Sequence, residues 1–283
     1  MAMIDAAEEE EALAIVKRRT PLLDRKAVRR ALPWLVIVVF FGLWEAAVRL
    51  FAIPEFILPA PSAVFAAAWE FRVAILDNAW QTLFTTVLGF AIAIVVGVLA
   101  GVAIGSSTLV YDSFYPALVG FYSIPKVAVV PILVIWFGIG TVPAVITAFL
   151  ISFFPILVNV STGIATLEPE MRDVLRALGA SRRQVIMKVG LPRAMPYFFA
   201  SLKIAMTVAF VGSIVSETVA ANKGIGHLML VASARFEVPL AFAALLVTGA
   251  MGVAMYAIAG AFEKRMTGWA VRGVNGVTLT PQG

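Results

Sequence analysis

Apolar residues in this chain fall in long runs rather than at the spaced positions of a surface helix. The runs extend from Pro33 to Ile53 and from about Asn78 to Gly105, Ser113 to Phe137, Val142 to Ser161, Met195 to Ala220 and Val238 to Phe262. A helix needs about 20 apolar residues to cross the hydrocarbon of a bilayer, so the pattern predicts about six transmembrane helices in an all-α bundle. Pro33 suits the first turn of its helix, where a missing N–H costs nothing. The third run carries Pro116, Pro125 and Pro131. These either kink one helix or divide it into a shorter helix and a re-entrant piece.

Within the second run, Gly89, Ala93, Gly97, Gly101 and Gly105 recur every fourth residue. At helical spacing they form one stripe of small side chains, which lets helix backbones approach closely. The stripe is read as packing, inside the bundle or against a second copy, in preference to lining a pore. Between the first two runs, Pro59-Ala60-Pro61-Ser62 precedes Val64, Phe65, Trp69 and Phe71. This predicts a turn and a short amphipathic helix at the membrane surface.

Composition agrees with lipid as the solvent. Of 283 residues 61% are hydrophobic and 14% charged, whereas soluble domains carry roughly 25% charged residues. The absence of cysteine excludes disulfides and thiolate chemistry. Basic residues are grouped: Lys17 to Arg30 before the first run, Arg172 to Arg193 in one loop, and Lys264, Arg265 and Arg272 after the last run. With an even number of spans, all three groups fall on the cytoplasmic side, so the charge is read as orientation rather than nucleic-acid binding. Asp5 and the acidic run Glu8 to Glu11 argue against a signal peptide.

One polar loop, Glu168 to Pro196, carries its own helical pattern. Val174, Leu175 and Leu178 share one face, and Val185, Ile186 and Val189 another. Gly179 is a natural stop for the first helix. Ser181 followed by Gln184 is a capping-box pattern for the second, and Leu191-Pro192 is expected to end it. The product is a helix–turn–helix element with apolar sides and a basic rim.

This loop resembles the cytoplasmic "EAA" loop of permease subunits of binding-protein-dependent ABC importers, of type I. That pattern is Glu-Ala-Ala, three residues, Gly, nine residues, Ile-x-Leu-Pro. Here it reads Asp173-Val174-Leu175, three residues, Gly179, nine residues, Val189-Gly190-Leu191-Pro192. Asp replaces Glu and Val-Leu replaces Ala-Ala. From about Pro54 to Phe262 the chain is similar to the nitrate/sulfonate/taurine branch. Leu58 to Ser62, Ile124-Pro125-Lys126, Ile135 to Gly138, Phe154-Pro155-Ile156, Leu178 to Ser181 and Gly224-Ile225-Gly226 carry that likeness in order.

The resemblance implies residues 1–32 as a cytoplasmic basic segment, 33–265 as a transmembrane permease domain with a coupling loop at 168–194, and 266–283 as a cytoplasmic tail. It implies that Asp173, Val174, Leu175, Leu178, Gly179, Ala180, Ser181, Leu191 and Pro192 couple the chain to an ATPase. It further implies a pair of ABC ATPase subunits, an external substrate-binding protein and a second permease copy, in a bacterial or archaeal cytoplasmic membrane with both termini cytoplasmic. No Gly-Lys-Ser or Gly-Lys-Thr occurs, so ATP and its magnesium are expected on the partner and no cofactor on this chain. Substrates of the branch include nitrate, sulfonates and taurine, thiamine-pyrimidine precursors and riboflavin.

Charge inside a membrane needs a reason. Glu45 and Arg49, four apart, are read as a pair, and Lys203 as snorkelling to the interface. Tyr122, Ser123 and Lys126 at the broken segment, Asn159 and Glu217 are candidate translocation residues. Asn159 equally suits a bond across helices, and Glu217 a clamp on the following loop. His227 alone makes neither a metal site nor a triad. A stand-alone secondary transporter or channel would show internal repeats, and a membrane-embedded enzyme clustered catalytic residues. Neither is apparent.

Overall fold

The computed structural model describes residues 26–166 and 169–271. The basic residues Lys17 to Arg25, the acidic N-terminal run, Glu168, Arg272 and the C-terminal tail lie outside the described residues. The chain divides into two compact units, Met1–Phe65 and Ala66–Gly283.

In the first unit, α1 (Lys26–Leu50) starts earlier than predicted, and Pro33 lies inside it rather than in its first turn. The preceding Lys26 to Leu32 are mostly good helix formers, so the helix tolerates one missing N–H near its end. Glu45 and Arg49 pair at 2.6 Å. Glu45 also accepts the Ser62 N–H and hydroxyl, both at 2.9 Å. These donors open α2 (Pro61–Glu70), so a carboxylate from α1 caps the next helix, whose first N–H groups have no partner of their own.

The second unit begins with α3 (Arg72–Gly105). The third predicted span is divided into α4 (Thr108–Tyr122) and α5 (Val130–Phe137) with a single 3-10 turn, Lys126–Val129, before α5. The two arms are bent by 73°. Then come α6 (Thr141–Ala165), α7 (Pro169–Ala177) and α8 (Arg182–Val185). Next are α9 (Leu191–Ala220), α10 (Ile225–Ala234) and α11 (Val238–Val271). α10 falls between the fifth and sixth predicted spans, in the loop that follows Glu217. α11 runs past Phe262, where Glu263 to Met266 are good helix formers beyond the apolar run. Among the described residues five helices are long and apolar enough to span a membrane, or six if the bent pair counts as one span.

α6 is the hub, packed along its length on α3 and α9, with α11 against α9 and α10. The core joins Phe90 and Ala93 of α3, Ala148, Ile156 and Val160 of α6, and Phe199, Ala205 and Ala209 of α9. The small-residue stripe of α3 is buried and lies on α6, which settles packing within this chain. A Cβ on Gly97 would come within 2.9 Å of Ile156 Cγ2, and one on Gly105 within 2.5 Å of the Ser161 carbonyl. Some buried hydroxyls bond along their own helices: Thr147 donates to the Pro143 carbonyl and Ser152 to that of Ala148, each at 2.7 Å. Without water, such back-bonding replaces solvation.

Gly97→Leu should therefore force α3 from α6 and cost about 1–3 kcal/mol or more, the range of overpacking. Thermal unfolding in detergent checks this. Gly249→Ala, with nothing within 4 Å of the added methyl, should not lower the midpoint, since alanine is the better helix former.

Candidate functional site

The polar loop folds as two short helices. α7 ends in a left-handed turn at Gly179, φ +82°. The Ala180 N–H donates to the Leu175 carbonyl at 3.0 Å, the six-to-one bond of a Schellman cap. The Ser181 N–H donates to Gln184 Oε1 at 2.8 Å, and the Gln184 N–H to Ser181 Oγ at 3.3 Å. This reciprocal pair starts α8.

The second helix of the loop does not end at Leu191-Pro192. It passes through a π turn, Ile186–Gly190, in which the Leu191 N–H donates to the Ile186 carbonyl, and continues directly into α9. The wider turn relieves the clash that a proline ring has with the carbonyl four residues back. α8 and α9 thus form one continuous rod, Arg183–Ala220, from the loop into the membrane.

Apolar side chains of the loop are divided. Val185 is buried, anchoring α8. Leu178 is 79% and Val174 59% exposed, although both are aliphatic. A groove of about 310 Å³ lies between the two helices, lined by Leu175, Leu178, Gln184, Val185, Lys188 and Val189. Lys188 lines it, and Asp173, Arg183 and Lys188 are exposed on the same loop.

The other candidates occupy three places. At the break, the Lys126 ammonium donates to the carbonyls of Phe121, at 2.8 Å, and Tyr122, closing the end of α4. It also lies 4.7 Å from the centre of the Tyr122 ring, which stacks on Phe154 of α6 at 4.4 Å. The Ser123 hydroxyl donates to the Val119 carbonyl at 3.0 Å. On α6, the Asn159 amide donates to the Pro155 carbonyl of its own helix at 2.8 Å. Near the far end of α9, Glu217 is fully enclosed. It accepts from the Thr82 hydroxyl at 2.7 Å and the Gly226 N–H at 3.3 Å, the geometry of the loop clamp. Lys203 pairs with Glu263 at 3.7 Å and sits over the Tyr256 ring. Among the described residues no group of three metal-ligating side chains converges.

Sequence reasoning missed the partners of Glu217. Thr82, Thr85 and Ser213 surround it. The available signal was Asn78, Thr82 and Thr85, polar residues at helical spacing on one face of an otherwise apolar helix.

Residues 93–268 match the family of binding-protein-dependent transport system inner membrane components. The chain belongs to this family. As a permease it is 32% identical to the riboflavin transport system permease protein RibX of Chloroflexus aurantiacus, over 83% of this chain and 87% of that one. It is 30% identical to a probable ABC transporter permease protein of Haemophilus influenzae, over 81% of this chain and 94% of that one. It is 28% identical to the formylaminopyrimidine transport permease protein ThiX of Halalkalibacterium halodurans, over 84% of this chain and 95% of that one. Its fold resembles the inward-facing MetNI methionine ABC transporter at a TM-score of 0.61, over 69% of this chain and 97% of that one, with 17% identity. This protein is a multi-pass transmembrane permease subunit of an ABC importer.

Ser181→Ala removes the capping hydroxyl and should cost about 1 kcal/mol of local helix stability. Amide exchange of α8 should accelerate several-fold, while that of α3 and α6 stays unchanged.

Proposed function

We propose that the α7–α8 element docks on a separate ATPase subunit and transmits its closure through α9 to the translocation path. The observation that carries this reading is the exposure of Leu178 and Val174, beside an apolar groove, on a loop too polar to enter lipid. Isolated aliphatics on a polar element are ordinary. Val174 in α7 and Leu178 just past its end, next to a groove and with Asp173, Arg183 and Lys188 exposed on the same loop, combine an apolar anchor with charged neighbours, the arrangement of a docking surface. Asp173, Val174, Leu175, Leu178, Gly179, Ala180 and Ser181 form the docking element. Leu191 and Pro192, at the start of α9, join it to the rod.

In this reading the partner binds ATP and magnesium, and two copies of the permease enclose the path. An external binding protein delivers the solute, and both termini face the cytoplasm, in accord with the grouped basic residues. Tyr122, Ser123 and Lys126 at the broken span, and Asn159 on α6, contribute to the path, since broken membrane helices bring backbone groups to a cavity. Glu217 contributes through the structure of the outer wall. Relatives named for riboflavin, formylaminopyrimidine, aliphatic sulfonates, taurine and nitrate support a small solute, organic or nitrate, with heterocycles first because RibX and ThiX are more similar than the sulfonate, taurine and nitrate permeases.

Purification of the tagged permease from native membranes in mild detergent should bring down an ATPase in about equimolar amount. Leu178→Asp should weaken that association by about 30-fold, equivalent to the roughly 2 kcal/mol of an interface hot spot. Asp173→Lys and Gly179→Pro should abolish solute-stimulated ATP hydrolysis while the chain still inserts. Normal association and stimulation in all three would refute docking through this element.

A further inference from the structure

We propose that Glu217 is a positioning residue for transport: it joins α3, the end of α9 and the start of α10 into one body that stays intact as the permease changes access. The inference rests on the importer reading for its functional meaning and on the following geometry for its substance.

A helix start leaves N–H groups without partners. At α10 they are taken by side chains of two other helices. The Gly224 N–H donates to Asn78 Oδ1 and the Ile225 N–H to Thr82 Oγ1, each at 2.8 Å, and the Gly226 N–H to Glu217 Oε2 at 3.3 Å. Thr82 donates onward to the same carboxyl oxygen at 2.7 Å. The other oxygen, Oε1, faces the hydroxyls of Thr85 at 3.2 Å and Ser213 at 3.4 Å. Thr82, Thr85, Ser213 and Glu217 are each at most 1% exposed, so no solvent shares these bonds.

The backbone lies directly on the carboxyl group. A Cβ on Gly224 would stand 2.3 Å from Glu217 Cδ, and one on Gly226 2.4 Å from the Ile214 carbonyl. Beneath them Ile225 packs with Ala79 of α3 and Ala244 of α11. On the rim Lys223 and Asp77 pair at 2.7 Å, an exposed contact of small weight. Separating α10 from α3 and α9 would strand a buried carboxyl and three amides together, with no water to take them. A contact of this kind is broken whole or kept. The movement of access then belongs to the irregular places, the break at Ser123 to Pro125 and the π turn at Ile186–Gly190.

The absence of cysteine permits a direct test. Leu76→Cys and Leu230→Cys are exposed positions on α3 and α10, outside the hydrogen-bonded group. They would carry nitroxide labels in the purified permease–ATPase complex. Distances are measured at rest and during ATP turnover, with phosphate release recorded in the same sample. One narrow distribution, common to both conditions, is expected. A second population displaced by more than about 5 Å, the size of a one-turn ratchet, overturns the proposal.

Glu217→Gln keeps an oxygen for Thr82 and Gly226 and presents its NH2 to the Thr85 and Ser213 oxygens, so it should retain both the distribution and coupled turnover. Glu217→Ala should broaden the distribution and abolish coupling. Glu217→Ala with an unchanged distribution overturns the proposal. So does Glu217→Gln failing like Glu217→Ala, because the role would then belong to the charge. If no ATPase co-purifies, the docking reading fails, and the two variants still test the joined body on the labelled permease alone.

Discussion

The contact of α3 with α6 depends on a face that carries almost no side chains. Lipid tails are as apolar as leucine, so burial of apolar surface does not drive membrane helices together, and close packing must do so. Four glycines and one alanine in register, from Gly89 to Gly105, bring the α3 backbone onto α6 until a single added Cβ would meet Val145, Ile156, Val160 or Ser161. α9 lies on another face of α6, with Phe199, Leu202 and Ala205 continuing the same core. The remaining elements of the second unit are placed by this central packing.

The same solvent governs the polar groups. Thr147 and Ser152 bond to carbonyls of their own helix, and Lys126 closes the end of α4 with its ammonium. Two short helices receive their caps from carboxylates elsewhere in the chain: Glu45 for the start of α2, Glu217 with Thr82 and Asn78 for the start of α10. A backbone donor near the hydrocarbon must find a partner within the protein, and a short helix has few residues of its own to offer. The acidic residues near the membrane thereby acquire structural work without any reaction at them.

Regular, close-packed helices interrupted at two points suit a protein that alternates between two arrangements. Packed cores resist gradual deformation, and discrete switching concentrates at irregular backbone. The 73° break between α4 and α5 and the π turn below α9 are such points. The second lies between the exposed aliphatics of α7 and a rod that reaches the Glu217 group at its far end.

The sequence by itself determined the spans, their approximate limits, the small-residue stripe, the Gly179 stop and the Ser181–Gln184 cap, because each follows from local spacing and local backbone chemistry. It also held the ordered motifs that carry the family resemblance. Tertiary structure alone decided which helix the stripe faces, that the third span is divided, and that the chain passes Pro192 without stopping. It alone showed that Glu217 closes on Thr82, Thr85 and Ser213, more than a hundred residues from it in two cases and four in the third. Those outcomes depend on partners brought together by folding and on a one-residue change in helical winding. A sequence records which residues need a partner, and only the packed structure decides which partner each receives.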